Sequence, residues 1–231
     1  MLKIKTFRAI DDIESSLRFA KGHSDVLKEY GIVKIASADT QWIYNPDVYV
    51  ILVESQDGQE IYGGAKIHIL SEEYFLPLEE AIYELDTSIF NITRKYPFGK
   101  TGELCGLWNA RKMSGSGLSS ILVRAAVAKS GITLAHKLNL DSLFALCAPW
   151  TVKMFTDTGY SVEERVGNKG TFSYPKDDLI ATVMIIEDIH NLNLATEFNK
   201  SRIYKLRLDP IQTSDEDSPN GKLSIEYNLL L

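Results

Sequence analysis

Met1-Leu2-Lys3-Ile4-Lys5-Thr6-Phe7-Arg8 alternates apolar and polar positions, a period of two that predicts a β-strand over Leu2 to Ala9. Asp11 followed three residues later by Glu14 then resembles a capping box and opens a helix predicted to end near Gly22. A second short helix is expected from Ser24 to Tyr30, with Ser24 as its N-cap and Gly31 as its stop. Two β-rich runs follow, Val48 to Ser55 and Glu60 to Leu70, joined by Gln56-Asp57-Gly58-Gln59. The Asp-Gly pair there is a hairpin signal.

Ser71 to Lys100 reads as an insertion, in which Pro77 to Leu85 can form an amphipathic helix and Tyr96-Pro97-Phe98-Gly99 a turn. Gly102 to Ala110 is strand-like. A long helix is predicted from Leu118 to about Leu138, with apolar residues at 118, 121, 122, 125, 128, 132 and 135. The strand after it, Ser142 to Ala148, is apolar on both faces from Leu143 onward and therefore central, so strand, helix and strand imply a parallel, right-handed crossover. Tyr160 to Gly167 and Leu179 to Glu187 supply two more strands. From His190 the chain holds a short helix and two β-like segments, Ile203 to Leu208 and Leu223 to Leu231, around a polar loop from Gln212 to Gly221; this tail can pair with a sheet edge of its own chain or of a second subunit.

The chemistry concentrates where the long helix begins, at Lys112-Met113-Ser114-Gly115-Ser116-Gly117-Leu118. A glycine-rich turn between a strand and a helix N-terminus leaves backbone N–H groups unpaired at the positive end of a helix dipole, which suits a phosphate or pyrophosphate. Its spacing is neither Gly-x-x-x-x-Gly-Lys-Ser/Thr nor Gly-x-Gly-x-x-Gly, so a triphosphatase loop and a dinucleotide fingerprint both fit poorly.

Read as Lys112-x-x-Gly115-x-Gly117, the turn resembles the Gln/Arg-x-x-Gly-x-Gly/Ala signature of the Gcn5-related N-acetyltransferases, the GNAT superfamily. Phe155-x-x-x-Gly159-Tyr160 is similar to the Tyr-x-x-x-Gly-Phe pattern that closes the family's short helix after the fifth strand. In element order the resemblance runs from Leu2 to Asp188; its sequence-specific part is Glu103 to Tyr160. It implies an α/β (α+β) fold with a mixed, mostly antiparallel sheet flanked by helices and a parallel crossover at the cofactor site. The acyltransferase domain would occupy residues 1–189 and a C-terminal extension residues 190–231.

The resemblance further implies transfer of an acyl group from acetyl-CoA or another acyl-CoA to a small-molecule or peptide amine. Glu103 would be the general base, its alternative being a solvent-facing strand carboxylate. The backbone of Leu107, Trp108 and Asn109 would pair with pantetheine, and Lys112, Met113, Ser114, Gly115, Ser116, Gly117 and Leu118 would surround the pyrophosphate. Two departures stand out: Lys112 replaces Gln or Arg, and Phe155 stands where a Tyr often protonates the leaving thiolate. Tyr160 is nearby but corresponds to a buried aromatic, and His68 faces either the core or the acceptor cleft. The chain also resembles autoinducer synthases and long-chain N-acyl amino acid synthases, which take larger acyl donors, often on acyl carrier protein; the Arg that follows the Glu by three residues in many of them is Gly106 here. A non-catalytic acyl-CoA-binding module is the reading of a different class.

Composition narrows these readings without choosing among them. The 231 residues, 45% hydrophobic, are enough for a substantial core. A net charge of -6 and a pI near 5.3, without a local basic cluster, argue against a nucleic-acid partner. The lack of an apolar run of about 18 residues argues against a membrane span and for a cytoplasmic protein. Cys105 and Cys147 sit in apolar strand-like segments as small hydrophobes. His23, His68, His136 and His190 are too scattered for a zinc site. A homodimer is compatible with the tail.

Overall fold

The structure, a computed structural model, describes residues 1–29, 31, 40–131 and 138–230. The chain opens with strand β1 (Leu2–Arg8) and helix α1 (Ile13–Glu29), followed by the hairpin β2 (Val48–Ser55) and β3 (Ile61–Ile69). Two short helices, α2 (Pro77–Ile82) and α3 (Ile89–Thr93), precede β4 (Thr101–Asn109), α4 (Leu118–Ser130) and β5 (Ser142–Cys147). Helix α5 (Pro149–Asp157) leads through β6 (Ser161–Val162) and β7 (Thr171–Ser173) to β8 (Ile180–Ile186). Helix α6 (Glu197–Leu208) and the hairpin β9 (Ile211–Ser218) and β10 (Gly221–Asn228) complete the described chain.

One twisted sheet holds the strands in the order β6-β8-β5-β4-β3-β2-β1-β10-β9, with β7 also on β8. Pairings are antiparallel except β4 with β5 and β1 with β10. Alternating side chains sort onto the two faces. Leu104, Leu143, Ala145, Met184 and Ile186 join the core beneath α4, α5 and α6. Phe144, Val183 and Ile185 pack under α2 and α3, and Val48, Val50 and Leu52 under α1. Burying each such side chain contributes about 1.5–3 kcal/mol, so the faces fix the register of the whole sheet.

Several local expectations are corrected. The first helix does not stop near Gly22: α1 runs on through Ser24 to Glu29. Gly22 is there for packing, since a Cβ on it would lie 2.1 Å from the Trp108 ring. The side-chain cap comes from Asp12 rather than Asp11, its Oδ1 accepting the Ser15 N–H at 3.0 Å. Of the strand expected over Tyr160 to Gly167, only Ser161–Val162 forms; the Glu163 carboxylate then accepts the Arg165 N–H at 3.1 Å and turns the chain. Tyr30, and positions 132–137 with Ile132, Ala135 and His136, lie outside the described residues.

The tail departs most from expectation. Ile203 to Leu208 is the end of helix α6, whose N-cap Thr196 accepts the Asn199 N–H. Gln212 to Gly221 is no loop but largely strand β9, a polar edge strand whose even-numbered residues are the better buried. Through β10 the hairpin pairs in parallel with β1, Leu2 to Lys5 against Ile225 to Asn228, so the tail extends the chain's own sheet.

Candidate active site

The parallel strands β4 and β5 pair only from Thr101 to Glu103 against Ser142 to Phe144, and then part. The cause lies on β4. Between the Lys66–Cys105 and Gly64–Trp108 pairs this strand carries one residue more than β3, a bulge with Gly106 at φ +58°. Bulges bend the strand that holds them, and the bend opens a wedge. A cavity of about 630 Å³ fills it, lined by every residue from Glu103 to Arg111, by Ser114, Gly115 and Ser119 of the glycine turn and α4, and by Leu146 and Cys147 of β5.

Glu103 stands at the closed end of the wedge, on the face covered by α1 and α2, and is 2% exposed. Its Oε2 accepts the Leu78 N–H at 2.7 Å, near the start of α2. That start is itself fixed: Pro77 occupies the first helical position, and Glu79 accepts the Leu76 N–H at 3.0 Å and the Thr93 hydroxyl at 2.6 Å. Burial pushes the Glu103 carboxyl up to about 8, against the opposing pull of the Leu78 N–H and the positive charge of Lys66.

His68 lies directly across from Glu103 on β3, and Lys66 across from Cys105. The His68 ring is held neutral, its pKa driven well down by burial and by Lys66. The same two causes bring His23, which lines the cavity, down to about 3. His68 Nε2 is buried without a hydrogen-bond partner among the described residues. Burial and Lys66 thus keep both imidazoles neutral, while burial raises the Glu103 carboxyl toward the neutral range.

At the open end the glycine turn presents free donors. Ser116 closes the turn on itself, its N–H and hydroxyl both donating to the Met113 carbonyl at 3.1 and 2.7 Å and its Oγ accepting the Leu118 N–H. Among the described residues, the N–H groups of Gly115, Gly117 and Ser119 have no backbone acceptor. Gly115 sits at φ +72° with nothing but its own chain neighbours within 4 Å of where a Cβ would stand, an open cradle on the cavity wall. Asn109 Nδ2 donates to Ser119 Oγ at 2.6 Å and ties β4 to the first turn of α4.

No protein-family model matches the chain, and no curated protein matches it. Solved structures do. FeeM, an N-acyl amino acid synthase from uncultured soil microbes, superposes with a TM-score of 0.61 at 13% identity, over 87% of this chain and 98% of its own. The CoA-dependent acyl-homoserine lactone synthase BjaI, with SAM and isopentyl-CoA, gives 0.57 at 14% identity over 88% and 90%. Escherichia coli ElaA gives 0.54 at 11% over 80% and 99%. The fold is that of the GNAT acyltransferases.

Within this GNAT fold the residues singled out from the sequence are unevenly placed. Glu103, Leu107, Trp108, Asn109, Ser114 and Gly115 line the cavity. Lys112 does not: its ammonium pairs with Glu60 and lies 4.3 Å from the Tyr62 ring. Met113 is partly buried against the main core and Leu118 fully buried in it, while Gly117 caps α4 and faces Pro219. Phe155 lines the cavity and meets Tyr160 edge-on at 5.0 Å; the Tyr160 hydroxyl is buried with no partner among the described residues. Cys147 lines the wedge, but burial holds its thiol up at about 12, unsuited to nucleophilic attack.

Sequence reasoning missed Arg111, which lines the cavity beside the turn, and Leu78, the donor to Glu103. Arg111 was legible as the neighbour of Lys112, hidden by the motif spacing. The Leu78 contact spans 25 residues and leaves no local mark. Tyr174, Pro175 and Ala181, which close the wedge from β7 and β8, were likewise silent.

Proposed function

We propose that the protein is an N-acyltransferase that moves an acyl group from acyl-CoA to a primary amine. The observation that carries the reading is one cavity holding both halves of the chemistry: the unpaired Gly115 and Ser119 amides at one end and a buried carboxyl raised to about 8 at the other. The open cradle at Gly115 fits a pyrophosphate, which needs close backbone approach to N–H groups at a helix N-terminus. Arg111 adds a positive charge beside it. The bulge at Gly106 and Leu107 leaves β4 backbone free to pair with a pantetheine amide.

In this reaction the amine nitrogen attacks the thioester carbonyl, the new C–N bond forming as the C–S bond breaks. Glu103, ionised, accepts the amine proton, directly or through a water, and CoA leaves as a thiolate that takes up a proton. Phe155 offers that thiolate packing but no donor. Phe155→Tyr should therefore raise turnover, by up to about 10-fold of the 100-fold or more typical of a positioned acid. Single-turnover kinetics would show it, and an unchanged rate would mean that thiolate departure is not limiting.

A specific observation favours acyl groups longer than acetyl. The cavity lining includes an apolar set, Leu78, Ala81, Leu146, Leu179 and Ala181. Each added methylene buried there is worth about 0.8 kcal/mol, so kcat/KM should rise roughly tenfold from acetyl-CoA to butanoyl-CoA. The test is a panel of acyl-CoA chain lengths against amines that include free amino acids, followed by thiol release. Turnover supports the enzyme reading, and CoA binding without turnover on any amine would replace it with a binding module. In the cell the amine partner and a cytoplasmic location remain part of this proposal.

A further inference from the structure

We propose that the C-terminal unit, α6 with the β9–β10 hairpin, holds the glycine turn in its anion-binding shape, with Pro219 and Glu216 as positioning residues. The inference rests on the reading of that turn as the acyl-CoA phosphate site. A turn with Gly115 and Gly117 both at positive φ is conformationally loose, because glycine has the most backbone freedom to lose. The Ser116 bonds close the turn from within, and the hairpin tip is placed to hold it from outside. A Cβ on Gly117 would lie 3.2 Å from Pro219 Cδ and 4.0 Å from Ser218 Cα, so the tip is seated directly on the residue that caps α4.

Further along α4 the same unit grips again. Arg124 Nη2 pairs with Glu216 Oε2 at 2.9 Å, both side chains buried, while Glu216 Oε1 accepts the Tyr227 hydroxyl at 2.9 Å. Asn199 of α6 accepts from Arg124 Nη1 at 3.3 Å. At the far end of α4, Lys129 Nζ donates to the Leu229 carbonyl at 3.0 Å. A buried ion pair is a poor source of net stability but tolerates only one arrangement of its partners, so it sets the register of α4 against the hairpin. The parallel pairing of β10 with β1 ties the hairpin in turn to the sheet that carries β4. The cradle on α4 and the wedge on β4 are thus held in one frame by a segment that touches neither the cavity nor Glu103.

Pro219→Ala, at an exposed hairpin turn, and Glu216→Gln, which is nearly isosteric, test this. Amide hydrogen exchange of Ser116, Leu118, Ser120 and Ile121, the hydrogen-bonded amides of the turn and the first turn of α4, should quicken about tenfold in both variants, the equivalent of about 1.4 kcal/mol of local stability. Desulfo-CoA, titrated calorimetrically, should bind about five- to tenfold more weakly to each, with the melting temperature of Pro219→Ala within about 2 °C of the parent, a split that a merely structural role would not produce. Exchange and affinity both at parental values in Pro219→Ala would overturn the proposal, and that variant decides if Glu216→Gln fails to fold. Parental protein that binds no desulfo-CoA would overturn the phosphate reading instead, while the exchange rates still decide whether the unit holds the turn.

Discussion

Glu103→Gln is expected to lower kcat/KM by about 100-fold or more, the usual size of general-base catalysis, while leaving CoA affinity near its parental value. Glutamine preserves the shape and can still accept the Leu78 N–H through its amide oxygen, so the strand and the start of α2 stay in place. What is lost is the capacity to take a proton. A variant that keeps full turnover would reduce Glu103 to a buried structural carboxyl.

The same residue sets a pH signature. With its carboxyl raised to about 8, Glu103 can serve as the proposed base only where ionised, so parental kcat/KM should climb with about unit logarithmic slope up to pH 8 and level off above it. Stability should move the other way. A carboxyl whose folded-state pKa lies above its unfolded value of 4.5 contributes fully below pH 4.5, and its contribution fades as pH rises through about 8. Thermal melts across that window should therefore show the parent losing ground to Glu103→Gln, which has nothing to ionise. In the proposed reaction the site works where it is least stable, because a base buried for reactivity must be charged to act.

The elements that position the site were legible because their signals are local. Alternation marked β1, two β-rich runs and an Asp-Gly turn marked the β2–β3 hairpin, and the strand-like runs and glycine turn marked β4, β5 and the start of α4 to within a residue or so; α4 itself ends at Ser130, short of the expected Leu138. The tail was misread for a physical reason: β9 is polar along its length because it is an edge strand, so its period of two is carried by burial of Gln212, Ser214 and Glu216 rather than by hydrophobicity. A sign of its partner was nevertheless in the sequence. Ile121 to Ala128 is apolar nearly all round, and such a helix is covered on both sides; Arg124 and Lys129 are buried because the tail is that cover. The wedge itself was half legible. Glu103 and the glycines sit in recognisable spacing, whereas the extra residue that makes the bulge, and the Leu78 N–H that meets the carboxylate, are facts of pairing between distant segments.

Closing the cradle at Gly115 should abolish cofactor binding, and the choice of substitution decides how cleanly this can be seen. Valine at φ +72° would strain the backbone as well as fill the space, since β-branched residues almost never adopt that conformation. Asparagine tolerates it. Gly115→Asn therefore keeps the turn and places a side chain where only the adjoining residues of the chain now lie within 4 Å. If the Gly115 and Ser119 amides hold the pyrophosphate, two hydrogen bonds to a charged group are lost, each worth about 1.5–3 kcal/mol, and the dissociation constant for CoA should rise by about 100-fold or more. Gly117 is the poorer probe, because a side chain there meets Pro219 and would report on the hairpin as much as on the ligand. Calorimetric titration of folded Gly115→Asn with CoA reads the answer, and an affinity equal to the parent's would move the phosphate away from this turn altogether.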